Sequence, residues 1–132
     1  MFFFSKMQAT GNDFIVLNNL ENRINYSYKL LSKFLCMNHF VVGADGVIII
    51  ENSKIADCKM RIFNKDGSEA EMCGNGIRCL AKYVYEKGII IKNIIKVETI
   101  AGIKEVFLKI DNKKVSTLKV NMGKIIWDFM VI

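Results

Sequence analysis

Residues 64–79 read NKDGSEAEMCGNGIRC. The stretch has a turn signal at Asp66-Gly67, and its cysteine, Cys73, stands directly before a Gly-Asn-Gly loop. From residue 75 onward apolar side chains recur at helical spacing, and Gly88 is the expected helix stop. These side chains are Ile77, Leu80, Ala81 and Val84, with Tyr83 and Tyr85 beside them. Because this segment is apolar over most of its circumference, we predict a buried, central helix at residues 75–87.

Strand patterns lie on both sides of the predicted helix. They occur at residues 2–7, 14–17, 47–51, 58–64, 94–100, 104–110 and 115–122, and turn-forming residues separate them at 10–13, 43–46, 65–67 and 111–114. A second helix, half exposed, is predicted from an N-cap at Ser27 to about Asn38. Its apolar positions are Leu30, Leu31, Phe34 and Leu35. The pattern predicts a strand-rich α+β fold with about seven strands around one central helix, in a single domain spanning residues 1–132.

The composition excludes several classes of protein. The chain has 132 residues, of which 52% are hydrophobic and 24% charged, so it is too apolar to be disordered. Its longest apolar runs are far shorter than the ~18 residues of a membrane-spanning helix, so we expect no membrane partner. No basic segment precedes the apolar first residues, and Lys6 interrupts them, so a secretory signal is not expected. We expect a cytoplasmic protein.

The net charge of +6 does not by itself indicate a nucleic-acid partner. Arg23, Arg61 and Arg78 are the three arginines among nineteen basic residues, and the lysines are mostly isolated, so no basic stripe forms. The four cysteines contain no Cys-x-x-Cys pair, and His39 is the single histidine. We therefore expect neither nucleic-acid binding nor a metal site.

The position of Cys73 predicts chemistry. A helix N-terminus has unpaired N–H groups and the positive end of the helix dipole, which favour a thiolate and bind carboxylates. Gly74 and Gly76 let backbone amides approach a ligand closely, and Asn75 adds a side-chain amide. This combination suits removal of the α-proton of an amino acid, because the amides stabilise the charge that builds on the carboxylate. Acyl transfer would need a histidine base, and nothing marks His39 as a partner of Cys73. A purely structural Cys73, packed at a glycine-rich turn, stays open at this point.

Several motifs in order along the chain resemble the diaminopimelate epimerase family. They are Lys6-Met7, Gly11-Asn12-Asp13-Phe14, Gly43-Ala44-Asp45-Gly46, Arg61-Ile62-Phe63-Asn64, Asp66-Gly67-Ser68, Cys73-Gly74-Asn75-Gly76, Arg78-Cys79 and Val120-Asn121-Met122-Gly123. The resemblance implies a mixed sheet wrapped around one central helix, as one of two pseudo-symmetric halves. It also implies a cofactor-independent isomerase, without pyridoxal phosphate, that interconverts LL- and meso-diaminopimelate in lysine and peptidoglycan precursor biosynthesis.

The resemblance also assigns roles to individual residues. It implies that Cys73 is one of two acid/base cysteines on opposite faces of the α-carbon. Gly74 and Asn75 would hold the α-carboxylate and amino end of the substrate, and Asn12 and Asn64 would complete the pocket. The local patterns agree, since they place Asn12 at a hairpin tip and Asn64 at a strand end. We expect the remaining cysteines, Cys36, Cys58 and Cys79, to have packing roles.

Family members consist of two similar halves, and the resemblance implies that this chain supplies the N-terminal half without the C-terminal domain. The second cysteine motif belongs to the other half, so we expect the isolated chain to be inactive, as a gene fragment would be. The apolar residues 127–132 predict an exposed face that recruits a second epimerase half or pairs two copies as a homodimer.

Two other functions stay open at this stage. The motifs also resemble those of proline and hydroxyproline racemases and of phenazine-pathway isomerases, which are similar to the same superfamily. The racemases typically have histidine at the position of Asn75, and the phenazine-pathway isomerases have another residue at the position of Cys73. A non-catalytic half-domain would keep the pocket residues and bind or assemble without turnover. Faster alkylation of Cys73 than of the other cysteines would separate the catalytic from the non-catalytic function.

Overall fold

The computed structural model describes residues 4–9, 11–37, 44–121 and 127–131, with the backbone alone at residues 4 and 127–131. Predictions that concern residues 2–3, His39, Gly43 and Met122-Gly123 lie outside the described residues. The elements, in chain order, are β1 Phe4–Ala9, β2 Asn12–Asn18, α1 Tyr28–Leu35, β3 Gly46–Glu51, β4 Cys58–Asn64, β5 Glu69–Ala70, α2 Gly74–Glu86, β6 Ile94–Thr99, β7 Gly102–Asp111, β8 Lys114–Asn121 and β9 Trp127–Val131.

The strands form one mixed sheet around α2. Among the described residues the sheet has nine strands in the order β1-β2-β3-β4-β6-β7-β8-β9, with β5 paired to β4. The β2–β3 and β4–β6 pairs are parallel and the others antiparallel. Helix α2 contacts β1, β2, β3 and β4 as well as β7 and β8. The sheet therefore curls around α2, which confirms the predicted α+β fold with a central helix.

The two faces of β2, β3 and β4 pack against different helices, because side chains alternate along a strand. One face packs with the apolar side of α2 and forms the α2 cluster, which includes Phe14, Val16, Ile48, Ile50, Met60, Ile62, Ile77, Leu80 and Val84. The other face packs with α1 and forms the α1 cluster, which includes Ile15, Leu17, Val47, Ile49, Phe63, Leu31 and Leu35. Any residue of these strands can thus be assigned to the α2 face or the α1 face from its register.

Helix α1 begins as predicted but ends early. The Ser27 hydroxyl accepts a hydrogen bond from the Leu30 amide at 3.4 Å, which confirms the N-cap. The helix ends at Leu35 rather than near Asn38, because the Met37 amide donates to the Phe34 carbonyl and tightens the last turn. Of the four predicted apolar positions, Leu31 and Leu35 are buried, whereas Leu30 is 64% and Phe34 50% exposed. Neither helix in the described ranges is long and apolar enough to cross a membrane.

The predicted turn at residues 10–13 is too long. Asn12 pairs with Ala9 and Asp13 with Gln8, so Asn12 is the first residue of β2 and does not lie at a hairpin tip. The chain reverses more tightly because Gly11 adopts a φ of +84°. The two-residue strand β5 and the strand β9 are not predicted by the sequence pattern. The side chains of residues 127–132 lie outside the described residues, so the apolar face expected there stays a prediction.

Candidate active site

Cys73 is the N-cap of α2. Its backbone is extended, with φ −143° and ψ 117°, and its Sγ accepts a hydrogen bond from the Gly76 amide at 3.4 Å. The Cys73 carbonyl accepts the first helical hydrogen bond, from the Ile77 amide at 2.9 Å. The helix therefore begins within one residue of its predicted start. The amides of Gly74 and Asn75 precede the first intrahelical donor and are directed out of the helix end, the geometry that binds anions.

Gly76 lets the first turn of α2 pack directly against β4. A Cβ atom at Gly76 would lie 2.7 Å from Cδ1 of Ile62 and 3.4 Å from Cβ of Cys73. No side chain fits at this position without displacing one of these neighbours. Cys73 is consequently held beside Ile62, and Asn64 lies two residues farther along the same strand face.

The strand register brings Asn12 and Asn64 to the same edge of the sheet. Phe14 pairs with Gly46, and Gly46 pairs with Asn64, so β2 and β3 begin where β4 ends. Asn12 alternates onto the face of Phe14 and Asn64 onto the face of Ile62, and this is the α2 face. Asn12 and Cys73 are partly exposed and Asn64 is exposed. Asn12 and Asn64, two of the residues predicted to bind substrate, therefore share one face and one end of the sheet.

Gly46 lies between Phe14 and Asn64 on this face, and Asn12 is two residues before Phe14 on β2. A Cβ atom at Gly46 would lie 2.9 Å from the Phe63 carbonyl oxygen and 3.5 Å from the Phe14 ring. Glycine is thus required by the close approach of β4 and β2. It also leaves the α2 face without a side chain at this register.

Two aspartates hold the strand starts next to Asn12. The Asp13 amide donates to Oδ2 of Asp45 at 2.8 Å, and the Asp45 amide donates to the Asp13 carbonyl at 2.8 Å. Nζ of Lys6 lies 3.6 Å from Oδ2 of Asp13, and Nζ of Lys65 lies 3.7 Å from Oδ1 of Asp45. Solvent-accessible ion pairs of this kind contribute little to stability. Sequence reasoning gave these aspartates no role, although both occur in the motifs that carry the family resemblance.

The motif Arg61-Ile62-Phe63-Asn64 divides between the two faces. Arg61 is directed to the α1 face, where Nε and Nη2 donate to the carboxylate of Glu69 at 2.8 Å each. Its guanidinium lies 4.9 Å from the ring centroid of Tyr28 and 5.2 Å from that of Phe63. A cavity of about 390 Å³ opens beside this group, on the opposite side of the sheet from Cys73. The ion pair of Arg61 with Glu69 therefore joins β4 to β5 on the sheet face opposite the candidate site.

The environments of the four cysteines differ. All four lie in the described part of the chain with free thiols, and Cys73 alone is partly exposed. Cys58 and Cys79 are buried in the α2 cluster and Cys36 in the α1 cluster, in agreement with the packing roles expected for them. Burial raises the pKa of Cys58 and of Cys79 to about 12, with smaller contributions from Asp57 and Cys73 respectively. Burial also raises the pKa of Cys36.

This difference predicts selective alkylation of Cys73. At neutral pH we expect iodoacetamide to label Cys73 roughly tenfold or more faster than Cys36, Cys58 or Cys79, because burial shields those three thiols from the reagent and raises their pKa. Mass spectrometry of tryptic peptides at successive times measures the four rates. Labelling in urea is the control, because all four thiols should then react alike. Equally slow labelling of all four in the folded chain would argue against a reactive Cys73.

A model of the diaminopimelate epimerase family matches residues 4–127. The chain belongs to the diaminopimelate epimerase family. The match covers every motif quoted from the sequence and confirms the resemblance that those motifs indicated.

Curated diaminopimelate epimerases are similar to the chain over most of its length. Identity is 54% over 125 residues for the protein of Caldanaerobacter subterraneus, 48% over 125 for that of Alkaliphilus metalliredigens and 50% over 120 for that of Clostridium perfringens. The alignments cover 95%, 95% and 91% of this chain but 44% of each relative. The chain thus spans less than half the length of these curated relatives.

Solved structures show the same fold at low sequence identity. A probable proline racemase from Agrobacterium radiobacter, with bound carbonate, matches 90% of this chain and 41% of its own with a TM-score of 0.74 at 15% identity. A hydroxyproline epimerase from Agrobacterium vitis, with bound trans-4-hydroxy-L-proline, matches 90% and 40% with a TM-score of 0.68 at 16% identity. A PhzF-family phenazine biosynthesis protein from Bacillus anthracis matches 90% and 38%, with a TM-score of 0.68 at 18% identity. These likenesses confirm the fold class.

Proposed function

We propose that this chain forms half of the active site of a diaminopimelate epimerase that interconverts LL- and meso-diaminopimelate without a cofactor. The observation that carries the proposal is Cys73, the partly exposed cysteine that caps α2 at the end of the sheet face where Asn12 and Asn64 lie. Membership of the epimerase family supports the substrate class.

Cys73 acts as one of two acid/base groups in this proposal. As a thiolate, its Sγ forms a bond to the α-proton while the Cα–H bond breaks, and the electron pair of that bond delocalises into the α-carboxylate. A second acid then delivers a proton to the opposite face of Cα, which inverts the centre. In the reverse direction the two groups exchange roles.

The first turn of α2 stabilises the charge that develops during this step. The amides of Gly74 and Asn75, together with the positive end of the helix dipole, receive the carboxylate as it gains negative charge. Asn12 and Asn64 contact the polar groups of the substrate from the edge of the sheet. These roles follow the family motifs, and the shared face and edge of the residues support them.

None of the other three cysteines of this chain is suited to be the second acid/base group. Cys58 and Cys79 are buried in the α2 cluster, and Cys36 lies in the α1 cluster behind the sheet. All three thiols are buried, so none of them is exposed to a substrate that lies against Cys73. We therefore propose that a second epimerase half, or a second copy of this chain, completes the site.

A chimera tests this function. In it, the chain replaces the matching 125 residues of the Caldanaerobacter subterraneus relative, so the remaining half of the site is supplied in the same polypeptide. The chimera is incubated with LL- and meso-diaminopimelate in heavy water, and NMR follows the α-proton signal and the stereochemistry together. We expect exchange with epimerisation.

Three comparisons complete the experiment: the unaltered relative, the chain alone, and proline as an alternative substrate. The unaltered relative is the positive control, and the chain alone shows whether half a site catalyses exchange. Exchange without inversion by the chain alone would indicate a working half-site. A folded chimera that exchanges proline but not diaminopimelate would favour a racemase of the proline type. A folded chimera without any exchange would support a non-catalytic binding domain and contradict the proposal.

A further inference from the structure

The turn that follows β4 connects three polar side chains. Nδ2 of Asn64 donates to Oγ of Ser68 at 3.0 Å, and Oγ of Ser68 donates to Oδ1 of Asp66 at 2.6 Å. The Ser68 amide donates to the same Asp66 oxygen at 2.9 Å. The backbone closes around them, since the Asn64 amide donates to the Ser68 carbonyl at 2.8 Å and the Gly67 amide to the Asn64 carbonyl at 3.0 Å.

This network fixes which end of the Asn64 carboxamide faces the turn. The two hydrogen bonds from Ser68 hold the pKa of Asp66 below its usual value, so Asp66 is a carboxylate and only accepts hydrogen bonds. A serine hydroxyl has a single hydrogen, and here it is donated to Asp66. Ser68 can therefore only accept from Asn64, which places the NH₂ group of the carboxamide against Ser68. The carbonyl oxygen of the carboxamide is then directed away from the turn.

We propose that Ser68 and Asp66 are positioning residues that hold the Asn64 carboxamide with its carbonyl oxygen directed away from the turn and available to substrate. The oxygen and the NH₂ group of a carboxamide are similar in size, and the network fixes which of the two is directed away from the turn. This inference rests on the proposed function in one respect, namely that Asn64 contacts the substrate. The positioning itself is a property of the unliganded chain.

The side-chain NH₂ resonances of Asn64 report on this network directly. In a ¹⁵N-labelled sample of the full chain, Asn64→Asp identifies these resonances by their disappearance. In Ser68→Ala we expect the two Asn64 proton shifts to move toward those of an unstructured asparagine and their exchange with water to accelerate by roughly tenfold or more. Ser68→Thr retains the hydroxyl and should restore both values.

A matched control separates this effect from a general loss of structure. The hydroxyl of Ser116 also makes an exposed hydrogen bond, to the Lys109 carbonyl at 3.1 Å, but it lies in the β7–β8 hairpin. Ser116→Ala should leave the Asn64 resonances unchanged. Unchanged Asn64 resonances in Ser68→Ala, in a sample with wild-type backbone amide shifts, would overturn the proposal. If Ser68→Ala fails to fold, Asp66→Ala gives a second reading, because without an acceptor at residue 66 the Ser68 hydroxyl can donate to Asn64 and the carboxamide is no longer held in one orientation.

Addition of diaminopimelate to the same samples distinguishes this inference from the proposed function. Movement of the Asn64 resonances on Ser68→Ala, with no response of wild type to diaminopimelate, would support positioning and contradict the substrate contact. A response to diaminopimelate that is equal in wild type and Ser68→Ala, with unchanged Asn64 resonances, would overturn positioning and leave the substrate contact standing.

Discussion

Replacing Cys73 with serine is expected to slow α-proton exchange in the chimera by about 10²–10⁴-fold while the protein stays folded. An alcohol is a far weaker acid than a thiol, so serine supplies no comparable base at neutral pH. The fold should survive because serine is a preferred N-cap. Its hydroxyl can accept the hydrogen bond from the Gly76 amide that Sγ accepts at 3.4 Å.

The measurement is deuterium incorporation at the α-carbon by NMR, with thermal unfolding of the same samples recorded in parallel. Cys36→Ala is the control, because it removes a thiol from the α1 cluster on the other side of the sheet. We expect Cys36→Ala to exchange like the parent chimera. Parent-like exchange in Cys73→Ser would remove Cys73 from the mechanism.

Replacing Gly67 with alanine is expected to lower the free energy of unfolding by roughly 3 kcal/mol or more. Gly67 has a φ of +89°, which strains any residue with a Cβ atom. That atom would also lie 2.7 Å from Cγ of Lys29 and 2.9 Å from the Lys29 carbonyl oxygen. The carbonyl belongs to α1, so relief of the second contact requires the helix to move away from the turn that carries Asn64.

Gly88→Ala is the matched control for strain without a clash. Gly88 has a φ of +72°, but a Cβ atom there would meet nothing within 4 Å. We expect the free energy of unfolding of this variant to fall by about 1 kcal/mol. Urea unfolding measures the difference between the two variants, provided that the slope of free energy against urea concentration is the same for both. Equal losses would show that the contact with Lys29 is relieved at no cost.

Much of the fold could be predicted from hydrophobic periodicity. The alternation of Cys58, Met60 and Ile62 predicted β4 with both of its bounds, and the helical stripe predicted α2 within one residue at each end. β5 has two residues, too few for any pattern, and the side chain of its Glu69 pairs with Arg61 of β4. The curvature of the sheet was predicted indirectly, from the need to cover a helix that is apolar on most sides.

Less of the candidate site could be predicted from local sequence patterns. Cys73 could be assigned to a helix N-terminus because the cysteine, the glycine-rich loop and the apolar stripe are contiguous. Asn12 and Asn64 share no local pattern with it, and from local chemistry they read as ordinary turn and strand-end residues. The parallel pairing of β2 with β3 and the antiparallel pairing of β3 with β4 bring them to one edge. Such long-range register is set by packing, so only the family resemblance identified these residues in advance.

The position of α2 also constrains the synthesis of the chain. The helix contacts β1, near the beginning of the chain, and β8, which follows it by almost thirty residues from Glu86 to Lys114. Leu118 and Val120 of β8 lie fully buried in the same cluster as Ile77 and Leu80. On the ribosome, the apolar stripe of α2 therefore emerges well before β8 does. Contacts between distant segments form slowly because loop closure costs entropy, so we expect the core around α2 to close only after β8 has emerged.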